Sequence, residues 1–264
     1  MGLLETHPKL VEALKGDLTP KFFASRSAAG VPNVVPLTSI KPVEDGSDVV
    51  FFGNFLLRKT ITNLGEDPRA AVLVITEQLH GWRLTCDLVE FQATGPLADI
   101  QSNSPLLRYN AYTGIRNAGV LRLLSVDEEF AISKAAFAAG FLATRAEAWV
   151  GGVDRGVAIP LAARREFGRL MSVKALAWIG ADGRPAIAPA LSLQPSGAGT
   201  LLCRCDRRLD EGVPADAPVA ANVLTFDAIS YQAKGTWERR GGAGVIHVEE
   251  VYAGGPPIPG GRIA

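Results

Sequence analysis

The 264-residue chain has few of the residues that mark a disulfide-bonded, metal-binding or membrane-spanning protein. Its three cysteines are an odd number without Cys-x-x-Cys spacing, which favours neither a disulfide framework nor a structural zinc site. Its three histidines are scattered, so no metal site is expected. The most apolar long stretch, 135–149, carries Arg145 and Glu147 and is too short to span a bilayer.

Charge and composition exclude further classes of protein. Lysine plus arginine and aspartate plus glutamate both number 27, so neither a nucleic-acid binder nor a membrane-surface binder is expected. Charged residues interrupt the first stretch of the chain, so no signal peptide is predicted. With 47% hydrophobic residues, 28 glycines and 17 prolines, the composition is that of a β-rich globular protein, which we expect in the cytoplasm.

The sequence contains one internal repeat. Five turn-forming positions recur at a constant offset of 153 residues: Gly30, Pro32, Pro36, Ser39 and Pro42 recur as Gly183, Pro185, Pro189, Ser192 and Pro195. Further on, Ala70-Ala71 aligns with Ala220-Ala221 at an offset of 150, and 126–131 resembles 248–253 at an offset of 122. About 28 residues of the first half would then have no counterpart, and the chain is predicted to be a tandem duplication.

Each half is predicted to form short antiparallel strands separated by Gly, Pro, Asp and Ser turns. In the first half the strands are expected at 21–28, 31–41, 48–53, 69–76, 81–96 and 119–127. Helices are expected at 3–15, 56–66, 103–118 and 133–149. The predicted fold is mainly β with a few helices and a closed or partly closed barrel in each half. The predicted domains are 1–150 and a shorter 171–264, joined by a linker at 151–170.

Residues 30–63 carry the clearest sign of a ligand site. A strand with the sequence Gly-Val-Pro-Asn-Val-Val-Pro leads to a second strand and then to a helix that begins near Arg58, Lys59 and Thr60. Two cations and a hydroxyl in the first turn of a helix suit a phosphate, because free N–H groups and the helix dipole favour an anion there. We expect Lys59 and Thr60 on the helix surface. The alternatives are a solvated helix face for Arg58 and Lys59, and a turn or strand-edge position for Asn33.

This order of elements resembles the FMN-binding split β-barrel family related to pyridoxamine 5′-phosphate oxidase. Residues 59–64 are similar to the family's Lys-Thr-x-x-Asn-Leu helix, and residues 231–236 to its Tyr-Gln-x-Lys-Gly-Thr strand. Residues 248–252 and the Gly/Pro-rich tail after them look like the family's C-terminal strand and tail. The resemblance implies two tandem split barrels that form an intramolecular pseudo-dimer, with FMN in the groove between them.

The resemblance also implies which residues would contact the cofactor. The flavin ring would lie along the first-half strand and the phosphate on the helix, and the second half would supply the partner wall. The implied FMN-binding residues are Asn33, Val34, Val35, Pro36, Thr38, Ser39, Asn54, Arg58, Lys59, Thr60, Asn63, Trp82, Tyr231 and Lys234. For Trp82 and Tyr231, which occupy related places in the two halves, the alternative is a core aromatic. No catalytic side chain stands out.

The implied function is that of a flavin-dependent oxidoreductase with a small-molecule electron donor and acceptor. The chain ends Gly-Gly-Arg-Ile-Ala and so departs from the basic terminus of true pyridoxamine-phosphate oxidases, which makes oxidation of vitamin B6 unexpected. The alternative is a non-enzymatic flavin-binding protein for electron transfer, sensing or storage. A deazaflavin or haem is the alternative ligand.

The duplication bears on assembly and stoichiometry. Two linked barrels can bury against each other the surface that single-barrel relatives bury in homodimers, so we expect a monomer. The second half has Asp206, Asp210 and Glu211 where a phosphate would approach, and Gly212 and Pro214 where the helix would continue. We therefore expect one flavin per chain, bound mainly by the first half.

Overall fold

Two antiparallel β-sheets, one from each half of the sequence, make up most of the structure. The computed structural model describes residues 2–44, 46–104, 115–150, 155–204, 212–255 and 259–264. The first sheet contains β1 (Lys21–Arg26), β2 (Pro32–Pro36), β3 (Lys41–Pro42), β4 (Val49–Gly53), β5 (Arg69–Ile75), β6 (His80–Gln92), β7 (Ala118–Val126) and β8 (Phe130–Ala131). The second contains β9 (Val173–Ile179), β10 (Pro185–Pro189), β11 (Gln194–Pro195), β12 (Thr200–Arg204), β13 (Pro218–Leu224), β14 (Ser230–Arg240), β15 (Ala243–Ala253) and β16 (Gly261–Arg262).

The two sheets have the same topology. The first has the order β2-β1-β5-β6-β7-β4-β3, and the second has the corresponding order β10-β9-β13-β14-β15-β12-β11. Each sheet curls around its own core, so that Phe23 of β1 and Phe52 of β4, which belong to non-adjacent strands, pack with their ring centroids 5.6 Å apart. The mainly β fold with two tandem split barrels, predicted from the sequence, is therefore confirmed.

Strand pairing fixes how the two halves align. Phe22 of β1 pairs with Leu73, and its counterpart Ala175 of β9 pairs with Asn222, so β5 and β13 are related by an offset of 149. The predicted offset of 150 is wrong by one residue, because it aligns Ala70-Ala71 with the identical pair Ala220-Ala221, whereas at the offset of 149 only Ala71 meets an alanine. The difference matters because a shift of one residue moves every side chain to the other face of a sheet.

The last strands of the two halves also align differently from the prediction. Leu84 pairs with Val126 in the first sheet, and Ala233 pairs with Val251 in the second, which gives an offset of 125 instead of 122. The first half therefore carries 24 residues between β6 and β7 that the second half lacks, since the offset falls from 149 to 125.

The helices are α1 (Pro8–Lys15), α2 (Arg58–Glu66), α3 (Pro96–Ser102), α4 (Lys134–Val150) and α5 (Leu161–Phe167). Helices α1 and α5 begin 153 residues apart, at Pro8 and Leu161, and so belong to the repeat. The stretch expected as a linker contains α5, whose Ala163 and Phe167 are part of the second core. Most of the helix expected at 103–118 lies outside the described residues. Among the described residues, no helix combines the length and apolar character that crossing a bilayer requires.

A third apolar cluster joins the two halves. It includes Phe22, Ala24 and Val34 of the first half and Ala175, Ala177 and Ile187 of the second. Polar contacts lie beside this cluster: Arg26 Nη1 donates to Gly183 O at 2.6 Å, and Arg184 Nη2 donates to Cys86 O at 3.1 Å and pairs with Asp87. The halves therefore pack together as an intramolecular pseudo-dimer.

Candidate functional site

A groove of about 400 Å³ lies between the two halves. Its first-half wall comes from β2 and the turn after it, from the start of α2 and from α3, and its second-half wall comes from β13, β14 and β15. Small-molecule sites in proteins commonly occupy about 300–1,000 Å³, so the groove can hold one organic ligand.

The first turn of α2 forms one end of the groove. The helix begins after Leu57, whose side chain makes no capping hydrogen bond, and Arg58 and Lys59 have exposed side chains there. The N–H groups in the first turn of a helix have no carbonyl partner within the helix, and the dipole makes this end positive. This end of the groove is therefore suited to an anion.

A buried hydrogen bond fixes the position of β2 against this helix turn. Asn33, which is 1% exposed, donates from Nδ2 to Thr60 Oγ1 at 3.2 Å. One turn further along α2, Asn63 Nδ2 donates to Ser25 Oγ of β1 at 3.1 Å. The expectation of an exposed Thr60 is wrong, because its side chain turns inward to accept from Asn33 and is also 1% exposed.

Charged groups of the second half face the start of α2. Lys59 Nζ lies 3.6 Å from the centroid of the Tyr252 ring, and Lys234 Nζ lies 5.9 Å from the same centroid. Tyr252 Oη donates to Glu250 Oε2 at 2.6 Å, and Arg262 Nη1 pairs with Glu250 Oε1 at 3.0 Å. Three cations therefore surround one carboxylate, which leaves this end with net positive charge.

The environment lowers the pKa of both lysines at this end. Burial, and after it the charge of Lys59, lowers the pKa of Lys234 to about 8, while Glu250 opposes the change. The pKa of Lys59 is also lowered, first by partial desolvation of its amine and then by Arg262, against the effect of Glu250. An anion placed here would reverse this effect, since a nearby negative charge favours the protonated amine.

The backbone of β2 presents its outer edge to the second half. Leu37 N donates to Lys21 O at 2.8 Å, so in this antiparallel pair the odd-numbered residues of β2 bond to β1 and the even-numbered ones turn outward. The outward carbonyl of Val34 accepts from Asn222 Nδ2 at 3.3 Å and also from Gln232 Nε2. The strand is therefore held from both sides.

The far end of the groove is built partly from the segment that only the first half contains. Gln101 of α3 donates from Nε2 to Ser39 O at 2.8 Å, and Ser39 Oγ accepts from Gly53 N at 3.3 Å. Ser104 and Ile115, at the two borders of the described part of this segment, also line the groove. Uncharged polar and apolar groups thus face each other at this end.

The structure brings most of the first-half residues predicted for the site to one groove. The predicted residues that line it are Asn33, Val35, Pro36, Thr38, Ser39, Arg58, Lys59 and Thr60. Val34 and Asn63 are buried beside this wall and take part in the contacts described above. Asn54 is also buried, and its backbone N–H donates to Asn117 O at 2.9 Å.

The two predicted aromatic residues, one from each half, lie away from the groove. Trp82 is buried in the first core and Tyr231 packs against the second core, and neither lines the groove, which favours the core-aromatic alternative for both. Lys234 does reach the Tyr252 ring. Sequence reasoning missed Gln232, although alternation along a strand puts residues 232 and 234 on one face and 231 on the other.

Other lining residues had no usable signal in the sequence. Asn222 and Ser230 of the second half lie on the groove wall next to Gln232, and Tyr252 lies on the wall one strand further on. They come from three strands that only the sheet register brings together.

The corresponding place on the other side of the pseudo-dimer is filled. Gly81 is the counterpart of Ser230, and the Phe130 ring packs so closely on it that a Cβ there would lie 2.5 Å from the ring. At the counterparts of Gln232 and Tyr252, Arg83 and Asp127 form an ion pair at 2.8 Å. The second-half residues 205–211, which would correspond to the helix start, lie outside the described residues.

Comparisons with known proteins give matches among solved structures. An FMN-binding protein from Syntrophomonas wolfei subsp. wolfei is 16% identical and covers 50% of this chain and 88% of its own, with a TM-score of 0.40. HupZ from Group A Streptococcus is 14% identical over 45% of this chain and 90% of its own, with a TM-score of 0.38. A protein related to general stress protein 26, from Clostridium acetobutylicum, is 14% identical over 49% of this chain and 94% of its own, with a TM-score of 0.36. No protein-family model and no curated protein matches the chain.

Proposed function

We propose that the groove binds FMN and that the chain is a flavoprotein. The observation that carries this proposal is the start of α2, where Arg58 and Lys59 of the first half face Tyr252 and Lys234 of the second across one end of the groove. The rest of the groove is lined by β2 and by uncharged side chains. An elongated ligand with an anionic end and a flat, mostly uncharged remainder fits this arrangement.

The anionic end of FMN is a phosphate monoester, which carries about −1.5 to −2 charges at neutral pH. Lys59, Arg58 and the N–H groups of the first turn of α2 would hold it, with Lys234 and Arg262 as nearby cations of the second half. Charge-assisted hydrogen bonds of this kind contribute roughly 1.5–3 kcal/mol each. The Asn33–Thr60 hydrogen bond keeps the helix turn in place against β2.

The remainder of the groove would bind the ring system. Val35, Pro36 and Leu57 supply apolar surface that excludes water, and the backbone of β2 supplies hydrogen-bonding groups. When bound, FMN supplies the electron-transfer chemistry, and the protein contributes position and environment. On this basis we propose an oxidoreductase that passes electrons between a small-molecule donor and a small-molecule acceptor.

The visible spectrum tests the cofactor proposal. Purified protein is expected to carry flavin absorption, or to acquire it on addition of FMN, with quenched or shifted flavin fluorescence. Riboflavin serves as the matched control because it lacks only the phosphate, and we expect it to bind at least tenfold more weakly, as loss of one or more charge-assisted contacts requires. A chain that binds neither flavin would refute the proposal.

The alternative to an enzyme is a flavin-binding protein for electron transfer, sensing or storage, and kinetics separates the two. The FMN-loaded protein is mixed anaerobically with NADH or NADPH, and bleaching of the flavin band is followed over time. Reduction within seconds supports an oxidoreductase. Reduction by either nucleotide that is no faster than that of free FMN supports the binding protein. Tighter binding of a deazaflavin than of FMN would contradict FMN as the cofactor.

We also propose a monomer that acts in the cytoplasm. The apolar surface between the two barrels is already covered within one chain by residues such as Phe22 and Ile187, which supports a monomer. Cys86 is a buried free thiol, which supports a reducing compartment. Light scattering that gives twice the mass of 27.9 kDa at every concentration would contradict the monomer, and cell fractionation tests the location.

A further inference from the structure

The second half holds β2 through two side-chain amides that meet at one atom. Asn222 Nδ2 donates to Val34 O at 3.3 Å, and Gln232 Nε2 donates to the same oxygen. Ser230 Oγ donates to Asn222 Oδ1 at 3.2 Å and so fixes the orientation of that amide. These three side chains are at most 7% exposed, and all three line the groove.

The duplication provides an internal comparison for these amides. Leu73 and Arg83 of the first half are the register counterparts of Asn222 and Gln232, and Ile187 is the counterpart of Val34. The first half therefore packs against the second without an amide at either position. On that side the groove is filled by Phe130. The amide pair occurs only on the side where the groove is open.

A buried amide is costly to desolvate, and an apolar residue of similar shape does the same packing at less cost. The first half shows that the fold accepts leucine at the position of Asn222. The amide pair is thus not required by the barrel, and its geometry relates to the groove. Val34 lies in the middle of residues 33–36, the segment of β2 that forms the groove wall beside Thr60.

We propose that Asn222 and Gln232 are positioning residues for the ligand of the groove, which rests on the proposed FMN binding. By holding Val34 O, they fix the distance between the β2 wall of the first half and the Ser230–Tyr252 wall of the second. A flat ring placed between the walls then meets β2 at one depth and one tilt. The second half controls the ring environment in this way without supplying the phosphate site.

The test compares Gln232→Met with a matched control, Gln194→Met. Gln194 is also buried in the second half and donates from Nε2 to a backbone carbonyl, Phe141 O, at 2.6 Å, but it does not line the groove. Both variants lose one amide-to-carbonyl hydrogen bond, so both should lower the thermal midpoint. Only Gln232→Met is expected to weaken FMN binding, by about tenfold, and to shift the absorption band of bound flavin.

Asn222→Leu provides a second variant in case Gln232→Met does not fold, because leucine is the residue at the counterpart position 73. This variant should also weaken FMN binding and shift the absorption band of the bound flavin. Unchanged FMN affinity and an unchanged flavin spectrum in a folded groove variant would overturn the positioning role while leaving FMN binding intact. A wild-type chain that binds no FMN would overturn both proposals, so the two failures are distinguishable.

Discussion

Lys21 and Lys174 occupy the same position in the two halves, and each side chain donates two hydrogen bonds to backbone carbonyls. Lys21 Nζ donates to Gly16 O at 2.7 Å and Thr38 O at 2.9 Å, and Lys174 Nζ donates to Arg169 O at 2.8 Å and Leu191 O at 3.4 Å. Lysines and acceptors are all related by the offset of 153. Through these hydrogen bonds, each lysine connects the first strand of its barrel to the turn that follows β2 or β10.

Burial of these lysines makes stability depend on pH. It lowers the pKa of Lys174 to about 7 and that of Lys21 to about 8, although Cys203 opposes the first shift and Asp17 the second. In the unfolded chain both pKa values return to about 10.4. Between the folded and unfolded values the unfolded state binds more protons, so the free energy of unfolding rises with pH. Below about pH 7 the Lys174 amine is protonated in both the folded and the unfolded state, so its contribution to the free energy of unfolding stays constant.

Urea unfolding of wild type and Lys174→Met at pH 7 and pH 9 tests this dependence. The wild-type free energy of unfolding should increase relative to that of the variant by roughly 2 kcal/mol between the two pH values. Lys15→Met, at an exposed position, is the control and should follow the wild type. Equal pH dependence of wild type and Lys174→Met would show that the buried amine titrates normally.

The fold was predictable from the sequence because its determinants are local and occur twice. Gly30 and Gly183 adopt positive φ angles of 77° and 76° in the same turn, a conformation that favours glycine, and the prolines around them mark the same strand. The exact register was not predictable, because the identical alanine pairs in β5 and β13 favour an offset of 150, whereas the strand pairing gives 149. Pairing with β1 and β9 decides between them, and sequence alone does not contain that information.

The candidate site was predictable to the extent that it is continuous in sequence. Asn33 and Lys59 lie within one continuous stretch that runs from β2 through β3 and β4 to the start of α2, and the first turn of a helix is suited to an anion. The opposite wall combines Asn222, Gln232 and Tyr252, which lie on three strands and meet only through the sheet register. Contacts of this kind depend on tertiary structure, and local patterns do not reveal them.

Lys59→Ala is expected to weaken FMN binding by about 10- to 100-fold, because it removes a charge-assisted contact to the phosphate. Riboflavin affinity should change by less than about threefold, since riboflavin has no phosphate to lose. Isothermal titration of both ligands gives the comparison, and Lys15→Ala controls for the loss of a surface charge. Parallel losses for FMN and riboflavin would place the phosphate away from Lys59.

Arg184→Met is expected to weaken the contact between the two halves. Arg184 joins the second half to Asp87 and Cys86 O of the first, and its side chain is only 22% exposed. We expect a loss of about 1–3 kcal/mol in the free energy of unfolding, measured in urea, because the Cys86 carbonyl and the Asp87 carboxylate lose a charged partner. Arg240→Met is the control, since Arg240 pairs with Glu238 two residues away on the same strand and surface pairs contribute little. Equal losses would show that Arg184 does not hold the halves together.

One FMN is expected to bind per chain. The open groove combines the α2 start of the first half with Asn222, Gln232 and Tyr252 of the second. Its counterpart has Phe130 packed on Gly81 and an Arg83–Asp127 ion pair in place of the amide and the tyrosine. Saturation titration of the full chain, followed by flavin fluorescence, should therefore end at one equivalent. Phe130→Ala would uncover Gly81 without restoring a phosphate site, so its end point should stay at one. An end point of two equivalents for the wild type would mean that the second side binds flavin despite this packing.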